Sequence, residues 1–280
     1  MFGYNKIIGQ KFFRDKNDTL LVTSVFYTLQ GEGPYAGQPA LFIRLTHCNL
    51  TCSFCDTFFD AGQEFTFPEL RDLALEAIAD YHKTEVTQDL LDRVVLVMTG
   101  GEPMLQQSIV NWFEYICLTF KKIQIESNGT IYQNIPDFVT LVCSPKCAEK
   151  DGVATKYLNI RQSVLDRADC LKFVVSSDST SPYNTVPDWA IKWAKETNRP
   201  IYISPMNVYN DLPKQAKELR ACEKEITIEE RSTVDEIISF WEPGLLNLKA
   251  NQSNHEYAAK YCLENGFRLN LQMHLYVSMA

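Results

Sequence analysis

The chain has 280 residues and a formal net charge of −8 at pH 7, with 45% hydrophobic and 22% charged residues. This length fits one large α/β domain or two small ones, and the composition is ordinary for a globular protein. The acidic balance argues against a general polyanion-binding surface, so we do not expect nucleic acid as a partner.

Targeting and membrane segments are not expected either. The first residues carry no signal-peptide hydrophobic region. No apolar run approaches the ~20 residues that span a bilayer. We therefore expect a cytoplasmic protein without a membrane partner, whose nine cysteines are thiols or metal ligands and not disulfides.

Strand-like and helix-like segments alternate along most of the chain. Strands are predicted, in chain order, over 21–29, 40–47, 93–100, 122–128, 138–144, 170–177 and 200–204. Helices are predicted over 67–82, 103–120, 157–168 and 186–197, and a helix–strand pair follows near the end.

The repeated strand–helix units predict an α/β fold with a parallel sheet and helices outside it. About six units fall short of the eight of a full TIM barrel, so we expect a partial (β/α)6-type barrel. No linker rich in glycine, serine or proline divides the chain, so residues 1–280 are predicted to form a single domain. The charged segment 207–250 is predicted to be a surface insertion with helical content.

Three cysteines lie close together in the stretch RLTHCNLTCSFCDT, residues 44–57, directly after a predicted strand. Cys48, Cys52 and Cys55 form a C-x3-C-x2-C array in a polar loop, where burial as small hydrophobic residues does not explain them. A [4Fe–4S] cluster is normally held by four thiolates, so three leave one iron open to a substrate or cofactor. The spacing favours such a cluster.

Zinc is the competing interpretation of this loop. A structural zinc ion takes four protein ligands in a tetrahedron. His47 directly precedes the first cysteine and is poorly placed to be the fourth ligand, while Cys143 and Cys147 have a C-x3-C spacing that is unusual for zinc. The loop alone leaves the zinc alternative open.

A second motif follows the predicted strand 93–100, where VVLVMTGGEPML runs from the strand into a predicted helix. Paired glycines, here Gly100 and Gly101, permit close approach of a ligand, and the Glu102 carboxylate can accept a hydrogen bond from an ammonium group. A lone glycine-rich turn of this kind is common. One strand–turn–helix unit after the cysteine loop, it is a strong indication of function.

Together the two motifs resemble those of the radical S-adenosylmethionine (SAM) superfamily. The resemblance implies that Cys48, Cys52 and Cys55 hold a [4Fe–4S] cluster, and that SAM chelates the fourth iron. It implies that Gly101 and Glu102 contact SAM. It also implies that an electron donor such as flavodoxin or ferredoxin reduces the cluster, which then cleaves SAM to a 5′-deoxyadenosyl radical.

The stretch VFYTLQGEGPYAGQPALFIRLTHCNLTCSFCDT resembles the 7-carboxy-7-deazaguanine synthases over its whole length. Gly-Gly-Glu-Pro, Glu-x-Asn-Gly-Thr and Ser-Pro-Lys then follow in the family's order, and the resemblance extends from about 22 to 205 and to the final strand. It implies a lyase that converts 6-carboxy-5,6,7,8-tetrahydropterin to 7-carboxy-7-deazaguanine with loss of ammonia, on the way to queuosine and related 7-deazapurines. A homodimer is implied as well.

The same resemblance gives roles to individual residues. Arg44 offers a guanidinium fork to the substrate carboxylate. Thr57 is expected to ligate Mg²⁺, with support from Asp56. Further substrate contacts are expected from Leu29, Gln30, Gly31, Thr99 and Glu126, and further SAM contacts from Ser144, Pro145 and Lys146.

Two other functions compete with this interpretation. A glycyl-radical activase shares the cysteine loop and the Gly-Gly-Glu segment but acts on a protein substrate, and Arg44 together with the segment Gln30–Gly33 argues against it. A zinc-binding interaction module explains neither Gly-Gly-Glu-Pro nor Ser-Pro-Lys.

Overall fold

The computed structural model describes residues 18–150, 152–207, 247–273 and 276. Its central feature is a nine-stranded sheet with a separate two-stranded hairpin beside it. The strands of the sheet are β1 (Thr19–Leu29), β2 (Pro39–Leu45), β3 (Gln63–Thr66), β4 (Val95–Gly100), β5 (Lys122–Ser127), β6 (Val139–Cys143), β9 (Cys170–Val175), β10 (Ile201–Pro205) and β11 (Arg268–Leu269). The hairpin consists of β7 (Cys147–Lys150) and β8 (Val153–Tyr157).

The order of strands in the sheet is β11-β10-β9-β6-β5-β4-β2-β1-β3. Every pairing from β2 through to β11 is parallel, and β1 is antiparallel to both β2 and β3. The parallel strands follow one another in chain order, with the antiparallel β3 and the hairpin as the strands inserted between them, as in a (β/α) barrel and unlike a doubly wound sheet. The predicted partial (β/α)6-type barrel is confirmed, with β2, β4, β5, β6, β9 and β10 as its long strands.

The helices are α1 (Phe67–His82), α2 (Gln88–Leu91), α3 (Ile109–Ile116), α4 (Gln162–Arg167), α5 (Asp188–Thr197) and α6 (Leu248–Asn265). Helix α1 begins with a capping box, in which the Thr66 hydroxyl accepts from the Glu69 amide and the Glu69 carboxylate accepts from the Thr66 amide. Its buried residues Leu70, Ala74 and Ile78 recur at helical spacing, so one face packs on β1 and β2.

The core lies on both faces of the parallel strands. Val95, Leu96, Val97 and Met98 of β4 are all fully buried. Leu96 and Met98 belong to the main cluster under the helices, while Val95 and Val97 pack with Ala40 inside the barrel. Burial on both faces explains why β4 is a continuous apolar run in the sequence.

Two helices differ from their predictions. The segment 103–120 forms a 3-10 turn over Pro103–Leu105 and then α3, with a break at Gln106. The Gln106 side chain hydrogen-bonds the N–H and the C=O of Leu21, both at 2.8 Å, and so pairs with β1 as a further strand would. The predicted helix 157–168 starts only at Gln162, because Tyr157 ends β8.

Strand β3 and the β7–β8 hairpin are additional to the predicted elements. They are short and mostly not buried, so they have no apolar run to reveal them. Of the predicted insertion 207–250, residues 208–246 lie outside the described residues, and 248–250 belong to the first turn of α6. In the described part of the chain, no helix is long and apolar enough to cross a membrane.

Candidate active site

The carboxyl ends of the parallel strands surround one cavity, which is the edge of a (β/α) barrel where active sites form. Loops that follow β1 and β2 close it from the side. Most of the site residues predicted from the sequence line this cavity: Gln30, Arg44, Cys48, Cys52, Cys55, Thr57, Thr99, Gly101, Glu126, Ser144 and Lys146.

The loop after β2 carries the three cysteines to the cavity. His47 has a left-handed φ of 71°, and its Nδ1 lies 2.5 Å from the Thr46 hydroxyl, so the chain turns sharply just before Cys48. Burial raises the pKa of the Cys48 and Cys52 thiols above the usual range and that of Cys55 to about 12. Thiols in this environment become thiolates at neutral pH when a metal coordinates them.

Gly100 and Gly101 bring the end of β4 against the backbone of the cysteine loop. A Cβ on Gly100 would lie 2.2 Å from the Leu45 carbonyl oxygen, and one on Gly101 would lie 1.9 Å from that of His47. Hydrogen bonds close this contact, from Gly101 N–H to Leu45 (3.1 Å) and from Glu102 N–H to His47 (2.8 Å). The chain's own backbone therefore requires both glycines, in addition to any ligand that approaches Gly101.

Glu102 is fully buried behind this turn and does not line the cavity. Its Oε1 accepts hydrogen bonds from the Ser127 hydroxyl (2.8 Å) and the Met104 N–H (3.0 Å), and its Oε2 accepts from the Asn128 N–H (2.7 Å). Burial raises the pKa of this carboxyl, while the three donors favour the ionised form. The carboxylate ties the end of β4 to the end of β5, and its contact with SAM stays a prediction.

The segment after β5 connects that strand to the cysteine loop. Asn128 Nδ2 donates to Asn49 Oδ1 at 3.0 Å, and Asn49 Nδ2 donates to the Thr130 hydroxyl at 2.8 Å. Gly129 between them has φ 77°, and a Cβ there would lie 2.6 Å from Cys143 Sγ. The Asn128-Gly129-Thr130 segment thus holds the cysteine loop at Asn49, the residue directly after Cys48.

Ser144 and Lys146 follow β6 on the cysteine side of the cavity. The Lys146 ammonium donates to the carbonyl (2.8 Å) and the hydroxyl (2.5 Å) of Ser144, whose own N–H donates to the Ser127 carbonyl (2.7 Å). Burial lowers the pKa of Lys146, and its charge opposes the rise in the pKa of Cys52. Lys146 therefore supplies a positive group next to the thiols.

Arg44 and Thr99 are direct partners in the register of β2 and β4. The Arg44 guanidinium carbon lies 5.0 Å from the ring centre of Phe26, which stacks on Phe42 at 5.1 Å. A cation–π contact of this kind holds the planar guanidinium in place. In the cavity wall it is suited to bind a carboxylate through two parallel hydrogen bonds.

Sequence reasoning missed a buried charge cluster in the cavity wall. Lys172 Nζ lies 2.7 Å from Glu32 Oε2 and 2.9 Å from Glu126 Oε2. All three line the cavity, although only Glu126 was predicted. A lysine within the apolar strand segment CLKFVV was the available signal, because a charge in a buried strand needs a partner.

Residues 270–273, here called the C-terminal strap, were also missed. The Asn270 Oδ1 accepts the N–H of Gly33 at 2.6 Å, and its Nδ2 donates to the Ser204 hydroxyl at 2.7 Å. Gln272 Nε2 donates to Asp56 Oδ2 at 2.9 Å, next to Thr57. The strap therefore joins the loop after β1 to the loop that carries the predicted Mg²⁺ ligand.

Comparison with known proteins identifies the family. The chain is 30% identical to the 7-carboxy-7-deazaguanine synthase of Rickettsia prowazekii over 279 residues, which cover 100% of this chain and 96% of that protein. It is 33% identical to the same synthase of Rhodospirillum rubrum over 190 residues, covering 67% and 71% of the two chains. The chain belongs to the 7-carboxy-7-deazaguanine synthase family.

The fold agrees with this assignment. The crystal structure of QueE from Escherichia coli matches with a TM-score of 0.51 and 18% identity, over 90% of this chain and 93% of that one. No family model matches the chain.

The 7-carboxy-7-deazaguanine synthase family is a radical SAM family, which implies a [4Fe–4S] cluster and SAM. The donor set fits the cluster, because three thiols line one cavity beside a lysine, and cysteine sulfur is the usual ligand of such clusters. Within the described residues, no group of three or more His, Cys, Asp or Glu side chains converges on a single ion. Thiolates that hold a cubane bind different irons, so they need not converge on one point.

Besides Glu102, three residues predicted from the family pattern do not line the cavity: Leu29, Gly31 and Pro145. Leu29 is the last residue of β1, and the buried Gly31 accepts the N–H of Met273 at 3.4 Å from the strap. Pro145 lies between Ser144 and Lys146, which both line the cavity. Their contacts with substrate or SAM stay predictions.

Proposed function

We propose that this chain converts 6-carboxy-5,6,7,8-tetrahydropterin to 7-carboxy-7-deazaguanine with loss of ammonia, as a member of its family. One observation carries the proposal. The cysteine loop, a guanidinium and a carboxylate–lysine cluster face a single cavity in a chain similar to the named synthases along its whole length. That cavity offers separate groups for a cluster, a substrate carboxylate and the polar edge of a pterin.

Cys48, Cys52 and Cys55 would hold the [4Fe–4S] cluster, and SAM would lie against Gly101 and the segment Ser144–Lys146. When bound and reduced, the cluster supplies the electron that splits SAM and so provides the radical that starts the reaction. The Lys146 ammonium, which donates to Ser144, would interact with an anionic group of SAM. Glu102 supports this side by holding the turn that contains Gly101.

The substrate would bind between Arg44 and the buried charge cluster. Arg44 pairs with the substrate carboxylate, and Thr99, the adjacent register partner, contacts the ring. Gln30 and Glu126 offer amide and carboxylate groups to the donors and acceptors of the pterin. Holding the substrate in one orientation, away from water, limits side reactions of the radical.

A Mg²⁺ ion is the finer part of the proposal. Thr57 would ligate it, and Asp56, whose Oδ1 lies 3.3 Å from the Thr57 hydroxyl, would support it. A hard cation with one or two protein oxygens, several waters and substrate ligands is usual for magnesium. We also propose that residues 1–280 form one domain, that the protein is a homodimer, and that flavodoxin or ferredoxin donates the electron.

Anaerobic reconstitution tests this function. The protein is loaded with iron and sulfide and then incubated with dithionite, SAM, Mg²⁺ and 6-carboxytetrahydropterin. We expect 7-carboxy-7-deazaguanine from the parent and from Cys117→Ala, whose thiol donates to the Glu114 carbonyl away from the cavity, but not from Cys52→Ala. SAM cleavage without this product would refute the substrate, and zinc without a cluster would refute the radical SAM class.

A further inference from the structure

Lys172 is the buried centre of a charge cluster in the cavity wall. Its side chain is 9% exposed, and those of Glu32 and Glu126 are 14% and 16% exposed. The ammonium bonds both carboxylates, which come from different parts of the chain, the loop after β1 and the end of β5. Burial raises the pKa of the Glu32 carboxyl against the opposing charge of Lys172, whereas at Glu126 burial is outweighed by the charge and the hydrogen bond of Lys172, which hold the pKa below its usual range. With both carboxylates ionised, the cluster carries one excess negative charge.

The remaining oxygens of the two carboxylates are also held. Glu126 Oε1 accepts from Gln124 Nε2 at 3.0 Å and from Gln30 Nε2 at 3.4 Å. Glu32 Oε1 accepts from Asn270 Nδ2 at 3.2 Å and from the Ser204 hydroxyl at 3.4 Å. Each carboxylate is therefore fixed in one orientation, and each Oε2, bonded to Lys172, keeps a lone pair for a ligand in the cavity.

Two carboxylates this close cannot both remain ionised in a buried wall without a cation between them. Like charges within about 4–6 Å raise each other's pKa, and burial adds to the effect. Lys172 contacts both carboxylates and offsets this repulsion. Without the ammonium, one of the two would take up a proton and turn an acceptor into a donor.

The cavity wall carries charges of both signs on different elements. Arg44 presents a positive charge from β2, whereas the carboxylates of the cluster come from β5 and the loop after β1, with Lys172 on β9. A ligand with a carboxylate at one end and several N–H donors at the other complements both groups. The substrate of the proposed function has this pattern.

We propose that Lys172 is a positioning residue for the pterin ring, because its contacts with both carboxylates hold Glu32 and Glu126 in place as a pair of acceptors for ring N–H donors. This inference rests on the proposed function, since it assumes a pterin in the cavity. It gives Lys172 an effect on substrate affinity and none on the cluster or on SAM.

Lys172→Met removes the charge and keeps the length of the side chain. We expect the KM for 6-carboxytetrahydropterin to rise roughly 10- to 100-fold, the loss produced when a hydrogen bond to a charged group fails. Iron content, cluster absorbance and SAM affinity should equal those of the parent, and kcat should change less than threefold. The matched control is Lys192→Met on α5. The Lys192 side chain is 74% exposed and pairs with Glu196, and the KM of this variant should equal that of the parent.

A double-mutant cycle tests the mechanism of the effect. In a Glu32→Gln background only one carboxylate remains, so Lys172→Met should raise KM several-fold less than it does in the parent. Lys172→Arg keeps the charge and should recover part of the affinity. If Lys172→Met does not fold, the Arg variant decides, with a moderate rise in KM and an intact cluster as the expected result.

The possible failures are distinct. No 7-carboxy-7-deazaguanine from the parent would refute the proposed function itself. Product from the parent, with an unchanged KM in Lys172→Met, would refute only the role of Lys172. Loss of iron, SAM binding and activity together, in a folded Lys172→Met variant or in Lys172→Arg, would also overturn it, because that pattern means a structural role. If Lys172→Met raised KM by the same factor in the parent and in the Glu32→Gln background, Lys172 would not act through the pair of carboxylates.

Discussion

Replacing Glu102 with glutamine tests whether the motif glutamate holds the fold. The carboxylate accepts three hydrogen bonds, from Ser127, Met104 and Asn128. An amide has one acceptor oxygen, so at least one buried donor faces an NH₂ group and loses its partner. An unsatisfied buried donor costs about 1–3 kcal/mol, partly offset because the variant no longer buries a charge. We expect the free energy of unfolding to fall by about 2 kcal/mol.

The measurement is urea unfolding of the cluster-free protein, followed by tryptophan fluorescence. Equal m-values in parent and variant allow the midpoints to be compared directly. Glu114→Gln, an exposed glutamate on α3, is the control and should change stability by less than about 0.5 kcal/mol. Parental stability of Glu102→Gln, combined with weaker SAM binding, would refute the reasoning and make Glu102 a ligand contact.

Three further changes test the surroundings of the site. Gly101→Ala forces a Cβ onto the His47 carbonyl, so the free energy of unfolding, measured in urea, should fall by about 3 kcal/mol. A variant as stable as the parent would contradict the tight contact. Asn49→Ala removes the hydrogen bonds of Asn49 with Asn128 and Thr130, so the free energy of unfolding should fall by about 1–2 kcal/mol and the protein should bind less iron. Full iron content would show that these two hydrogen bonds are not needed to hold the cysteine loop. Burial lowers the pKa of His255 below its ordinary value of 6.5. As the pH falls, the unfolded state therefore binds a proton before the folded state does, and the free energy of unfolding decreases. His255→Gln should flatten the curve of urea midpoint against pH between about pH 5 and 8, and an unchanged slope would assign it to other groups.

Much of the fold could be predicted from the sequence because the barrel strands are buried on both faces. β4 begins as a continuous apolar run, β9 is apolar apart from Lys172, and the predicted bounds of both differ from the observed ones by two residues at one end. The edge strand β3 and the β7–β8 hairpin lack this signal, since solvent covers much of their surface. The break at Gln106 could not be predicted, because its cause is a bond to Leu21 far away in the sequence.

In the site as well, features with a local sequence signal could be predicted, whereas contacts between distant residues could not. Contiguous motifs identified the cysteine loop and the residues beside it, and Arg44 and Thr99 lie in register as neighbours at the cavity. The partnership of Lys172 with Glu32 joins positions that are 140 residues apart. Such a contact depends on the tertiary fold, and local sequence patterns contain no record of it. Glu102 was found by its motif, but its burial behind the turn required the structure.

The C-terminal strap also has a consequence for the order in which the site is assembled. Gly33 and Asn270 are 237 positions apart, so their hydrogen bond cannot form until almost all of the described chain has been synthesised. At about 5–20 residues per second, roughly 10 to 50 seconds separate the synthesis of these two residues. The cysteine loop is made early in that interval, while the cavity still lacks the wall that the strap supplies. During synthesis, the three cysteines of the loop are therefore present well before the strap can complete the cavity wall around them.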